Sequence, residues 1–181
     1  METIIARVKK LLSNPAAEWQ LINSESSNSI TIMKNYLAYL IGLAVAAHYI
    51  GGILSGENLF GGLILALVQY LLIVVGFYIS AFIINLLAPS FGAVQDDQKA
   101  FKLVAYSGTA ALVAQIFAVL PFLNLLTIIG SLYTFYLFYV GAPIVLGLPK
   151  EKTLLFTLVC VLVMIGVLLL VSLILLPFRC A

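Results

Sequence analysis

The sequence predicts an all-α integral membrane protein: a bundle of five transmembrane helices with a short amphipathic helical arm at its N-terminus. Three observations carry the prediction. No Asp, Glu, Lys or Arg occurs between Asn58 and Gln95, between Leu103 and Pro149, or between Thr153 and Phe178. Hydrophobic residues make up 64% of the 181 and charged residues 9%, which leaves no room for a separate water-soluble catalytic domain. A helix needs about 20 apolar residues to cross a hydrocarbon core of roughly 30 Å, and Pro89 and the segment from Pro121 to Asn124 divide the apolar stretches accordingly.

Residues 1–30 read as a cytoplasmic arm and linker, and residues 31–181 as the membrane domain. In the arm, Ile4, Ile5, Val8, Leu11 and Leu12 fall at helical spacing, with Arg7, Lys9 and Lys10 on the remaining surface. Such a helix suits either an anionic membrane face or the protein's own loops. The same basic residues interrupt the apolar run too early for a cleaved signal peptide, so targeting is expected from the first span. Asn14-Pro15 starts a second short helix, with Asn as its cap and Pro at its first position. That helix carries Trp19, the single tryptophan, whose ring is expected at headgroup level or against the bundle. From Asn23 to Ser29 the chain is Ser, Asn and Glu throughout, which reads as a flexible linker that tethers the arm loosely.

The five spans are placed at about 36–55, 60–88, 100–120, 123–146 and 154–176. Asp96 and Asp97 are expected to cap the third; a divalent cation bridging the two acids is the alternative, with no further ligands beside them. With the N-terminus inside, Arg7, Lys9, Lys10, Lys34, Lys99, Lys102, Lys150 and Lys152 all fall on the cytoplasmic side and only Arg179 outside. Arg7, Lys9, Lys10, Lys99, Lys102, Lys150 and Lys152 are therefore the candidate cytoplasmic interaction residues, for anionic lipid headgroups or for a membrane or cytoplasmic protein. Gly52 with Gly56, and Gly76 with Ser80, are small-residue pairs suited to helix packing within the monomer or in a homo-oligomer.

Chemistry is read by elimination. One His, two cysteines at opposite parts of one span (Cys160 and Cys180), and acids confined to the tail and loops supply no nucleophile–base pair, metal-ligand cluster or phosphate-binding loop. No enzyme, cofactor, metal or nucleic-acid partner is expected, nor a disulfide within the chain. The candidate intramembrane residues are His48, Gln69, Asn85, Tyr106, Gln115, Tyr133 and Tyr136. A titratable side chain at bilayer depth is costly, which makes His48 either a functional group or a neutral imidazole bonded to a tyrosine or carbonyl. Gln69, Asn85 and Gln115 suit a small hydrophilic cavity or bridges between helices. Tyr133 and Tyr136 share a face and offer hydroxyls to a headgroup, a partner helix or Tyr106, or else belong to an aromatic belt. Pro143 is expected to kink or end its helix.

Asn14-Pro15 followed by Trp19, Lys99-Ala100-Phe101 leading into Ala105-Tyr106-Ser107, Pro121 at a hairpin, Leu132-Tyr133 to Tyr139-Val140-Gly141-Ala142-Pro143, and Pro149-Lys150-Glu151-Lys152 together resemble the prokaryotic branch of the Yip family. The resemblance covers nearly the whole chain and is most specific from about Phe91 to Thr153. It implies a five-span protein of a prokaryotic plasma (inner) membrane, with the N-terminus cytoplasmic and the C-terminus outside. Eukaryotic members are associated with Rab-type GTPases, but their Asp-Leu-Tyr-Gly-Pro type motif is missing here, so that role does not carry across. Relatives often show Tyr-Ser-x-Thr-Pro; Ala110 replaces that proline and removes the reason for a kink there. Two functions remain open: a non-enzymatic organiser of membrane or protein partners through its cytoplasmic face, and a small transporter, channel or lipid-handling protein with a polar path.

Overall fold

The computed structural model describes residues 2–119 and 123–179, so Pro121 and Phe122 of the expected hairpin, and Cys180, lie outside the described residues. The helices are α1 (Glu2–Ser13), α2 (Pro15–Ser24), α3 (Ser29–Leu54), α4 (Leu59–Leu87), α5 (Asp97–Ser107), α6 (Thr109–Gln115), α7 (Asn124–Leu146) and α8 (Lys150–Arg179). A π-helical turn, Met33–Leu37, lies within α3, and short 3-10 turns, Ala88–Phe91 and Ile116–Val119, follow α4 and α6. No strand occurs among the described residues. Among the described residues four segments are long and apolar enough to cross a membrane: Ser29–Leu54, Leu59–Phe91, Leu125–Leu146 and Lys150–Ile174.

Capping side chains set several helix starts. The Asn28 side chain accepts from the Thr31 amide at 2.8 Å, and Asn58 accepts from the Phe60 and Gly61 amides at 2.9 and 3.1 Å. Asp96 accepts from the amides of Gln98 and Lys99 at 2.9 and 3.1 Å, as the acids before the third span predict. Asn14 occupies the cap position of α2 without a side-chain bond, and Pro15 alone marks that start. Gly56, with φ of 92°, turns the chain out of α3, so the Gly52–Gly56 pair belongs to a turn more than to a packing face. Pro143 lies inside α7, which ends only at Leu146.

The third span departs from expectation. In place of one helix over about 100–120, the chain forms α5, a turn at Gly108, α6 and the 3-10 turn. No proline is involved. Ser107 Oγ donates to the Leu103 carbonyl at 2.6 Å, a back-bond that bends helices, and Gly108 follows with ψ of −13°. Every residue from Phe101 to Ala110 is buried, so this segment is the hub of the bundle, while α4, α7 and α8 carry the lipid-facing surface. Leu63, Leu67 and Leu71 on α4, and Leu154, Leu158 and Leu162 on α8, form outward apolar stripes at helical spacing. In water such stripes would be an uncompensated hydrophobic surface; in a bilayer they contact lipid chains.

The arm is not loosely tethered. Leu11, Trp19 and Ile22 are fully buried and join one core with Leu37, Ile84, Leu103 and Phe138. The connection after α2 is short, and its far end is held where Ser29 donates through its amide and hydroxyl to the Gln98 side chain at 2.6 and 2.9 Å. Trp19 packs edge-on against Tyr106, with ring centroids 6.3 Å apart. On its other side it lies over Gly141, where an added Cβ would stand 2.5 Å from the indole Cε2. Only glycine admits that approach, and burying an indole from water contributes on the order of 4 kcal/mol. Two parts of the family-like pattern, Trp19 and the Gly-x-Pro at 141–143, are thus halves of one contact.

The Gly141→Val variant is expected to expel the indole. In purified protein the emission of the single tryptophan should shift to the red and become quenchable by iodide, whereas Gly42→Ala, at a position with open space around it, should leave both unchanged. Unchanged emission in Gly141→Val would mean that Trp19 is not seated there.

Candidate functional site

Most of the charged residues come together at one end of the bundle. The Val94 amide donates to the Leu146 carbonyl at 3.0 Å, and Gly92 lies beside Pro149. With the Ser29–Gln98 bond, these contacts bring the arm, the connection before α5 and the turn before α8 to the same face. Arg7 is internal to that end: it pairs with Glu18 at 3.0 Å and Glu25 at 2.5 Å, and its guanidinium lies 5.9 Å from the centre of the Tyr106 ring. Burial works against its charge, but Glu25, Tyr106 and Glu18 outweigh it, so Arg7 holds its proton more tightly than a free arginine. Glu18 is buried on the face of α2 that also carries Pro15, Trp19 and Ile22.

Lys102 is likewise internal. Its ammonium donates to the carbonyls of Ile22, at 3.4 Å, and Glu25, placing a cation at the C-terminal end of α2. Tyr133 donates its hydroxyl to the Leu12 carbonyl at 2.8 Å, so it fixes the last turn of α1 and does not reach for Tyr106. Tyr136 packs against Tyr133 with the rings tilted by 50° and their centroids 5.3 Å apart, and it is half exposed. Of the seven candidate cytoplasmic cations, Arg7 and Lys102 are therefore consumed within the fold. Lys9, Lys10, Lys150 and Lys152 are exposed, and Lys99 partly so.

Asn85 ties the end of α4 to the start of α5. Its carbonyl oxygen accepts from the Asp96 amide at 2.8 Å, and its amide nitrogen donates to the Asp97 carboxylate. Among the described residues no group of three or more His, Cys, Asp or Glu is placed to hold a metal. Cys160 is a buried free thiol.

His48, Gln69 and Gln115, from α3, α4 and α6, are brought together. They line one cavity of about 620 Å³ between the helices, along with Ser80, Thr127 and Thr134. Asn85, Tyr106, Tyr133 and Tyr136 are not part of it. Among the described residues, no charged one lines it. Sequence reasoning passed over Glu18, although its place on the Pro15–Trp19–Ile22 stripe was a usable signal. It also passed over Thr109, whose hydroxyl meets that of Tyr36 at 2.9 Å, and Thr134, which accepts from the Ala111 amide at 3.1 Å.

A bundle of apolar helices with lipid-facing stripes and its basic residues gathered at one end is a multi-pass integral membrane protein. Residues 9–173 match the model of the Yip1 domain, and the chain belongs to that family. It is similar to the inner membrane protein YohC of Escherichia coli (strain K12), with 26% identity over 166 residues that cover 84% of this chain and 85% of the relative. The YohC protein of Escherichia coli O6:H1 (strain CFT073) matches to the same extent. No solved structure matches.

Replacing Arg7 by Met leaves the Glu18 carboxylate buried without its cation, which is expected to cost about 3 kcal/mol of arm docking. Trypsin cleavage at Lys10 in nanodiscs should accelerate on the order of a hundred-fold, since cleavage tracks the open population. Lys9→Met should change it little. Equal rates for the two variants would show that the ion pairs do not hold the arm.

Proposed function

We propose that this Yip1-family chain is a non-enzymatic inner-membrane protein that organises its surroundings through the charged end, with the N-terminus and that end in the cytoplasm. The observation that carries this reading is the division of labour among the basic residues. Arg7 ties α1 to α2 within the arm and lies over Tyr106 of the bundle, and Lys102 bonds the arm's carbonyls from α5, while Lys9, Lys10, Lys150 and Lys152 face outward from the same end. A rigid basic surface at headgroup level attracts anionic lipids at about 1 kcal/mol per cation near the surface. The non-enzymatic part of the reading rests on how the acids are used: Asp96 and Asp97 on the start of α5, Glu18 and Glu25 on Arg7. The cytoplasmic assignment rests on the gathering of eight of the nine basic residues at that end. Anionic headgroups are the partner the surface fits best, and a cytoplasmic protein would be recognised by the same lysines.

Native mass spectrometry of the full chain released from native membrane tests this. The Lys9, Lys10, Lys150 and Lys152 to Gln variant should retain several-fold less phosphatidylglycerol than the parent, and the parent's retention should weaken with salt. Equal retention by both, with no protein partner lost from the variant, would overturn the reading.

A further inference from the structure

The cavity at His48, Gln69 and Gln115 does not contribute to the charged end. Most of its polar groups lie in the other half of the bundle: His48 in the later part of α3, Gln115 at the last position of α6 and Thr127 in the first turn of α7. Its deeper wall is apolar, with Ile73, Phe77, Val104 and Met164. Leu168 and Leu173, both largely exposed, stand at its rim, so the opening faces the lipid.

Two features point to a ligand. The carboxamides of Gln69 and Gln115 make no hydrogen bond to any described residue, although both project into a cavity at bilayer depth. An amide left unpaired in apolar surroundings is unfavourable, whereas an occupant with its own donor and acceptor removes that cost. Ser131 and Thr134, by contrast, spend their hydroxyls on the carbonyls of Thr127 and Gly130. The second feature is the charge-free lining, which offers nothing to neutralise a phosphate or carboxylate and penalises burying either. The volume falls within the range of roughly 300–1,000 Å³ common to small-molecule sites.

We propose that this cavity binds a neutral amphiphile taken from the membrane half opposite the charged end. Its uncharged hydroxyl, ester or amide head bonds Gln69 and Gln115 near His48 and Thr127, and its hydrocarbon chain runs between Phe77, Val104 and Met164. Water alone would satisfy the polar end but would leave that deeper apolar wall wet.

The test uses the full chain in nanodiscs with two photoreactive probes of equal acyl chain length, a diacylglycerol and a phosphatidylglycerol, each carrying a diazirine in the chain. The diacylglycerol should label Phe77, Val104 and Met164 and be displaced by unlabelled diacylglycerol, while phosphatidylglycerol should label only outward residues such as Leu67, Leu71 and Leu158. In the Gln69→Leu, Gln115→Leu variant cavity labelling should fall roughly ten-fold, as expected for two lost hydrogen bonds, with outward labelling unchanged as the sign of an intact fold. If that variant does not fold, Ser131→Phe, which narrows the cavity without removing a bond between helices, should produce the same loss. Equal cavity labelling by both probes, labelling that none of these variants changes, or no cavity labelling at all would overturn the proposal.

Discussion

The seating of α2 on the bundle is the constraint from which the charged end follows. Trp19 reaches full burial because residue 141 has no side chain, and Arg7 then sits where Glu18, Glu25 and Tyr106 meet. The order of dependence is physical. Apolar burial of the indole brings two acids and an arginine into partial desolvation, where an unpaired charge is expensive, and the pairing then sharpens the register that burial began. Lys102 and Tyr133, offered by α5 and α7, close the carbonyl ends of α2 and α1. What reads as an appendage in the chain is in energetic terms a layer of the fold.

That layer changes which residues are available for interaction. A mobile basic helix would present Arg7, Lys9 and Lys10 together to the membrane. In the folded arm, Arg7 is committed inward and its two neighbouring lysines remain outside, so any electrostatic contact is made by a surface of fixed shape. Fixed charges lose less entropy on engaging a partner than a loose arm would, which favours a few defined lipid or protein contacts over diffuse attraction. In the cavity toward the other end the chemistry is reversed: its described lining residues carry no charge, and uncharged polar groups face a space open to lipid chains.

Much of the fold was legible because the bilayer imposes simple rules on sequence. Charge-free length pointed to five spans, of which four are long, apolar helices among the described residues, and Asp96 announced a cap that is present, whereas Asn14 holds its cap position without a side-chain bond. The break at Gly108 was not legible from proline content, since Ser107 back-bonding and the following glycine produce it instead. Docking of the arm was not legible either. Periodicity shows that a helix has an apolar face but not what covers it, and the covering group here includes a glycine more than a hundred residues away. The polar residues were picked out by type, yet their fates diverge. Asn85 closes a local joint and Tyr133 caps the arm, whereas His48, Gln69 and Gln115 meet only because three helices turn the same way. Such convergence depends on packing angles that no single helix encodes.

Whether the arm belongs to the fold or lies on the membrane is decided by a distance across the charged end. Spin labels at positions 9 and 150, in a chain with Cys160 and Cys180 replaced by alanine, can be followed by pulsed dipolar spectroscopy in nanodiscs. A docked arm gives one narrow distance distribution that is the same in zwitterionic and in anionic bilayers. A broad distribution, or one that moves when anionic lipid is added, would contradict it and return the arm to the membrane surface.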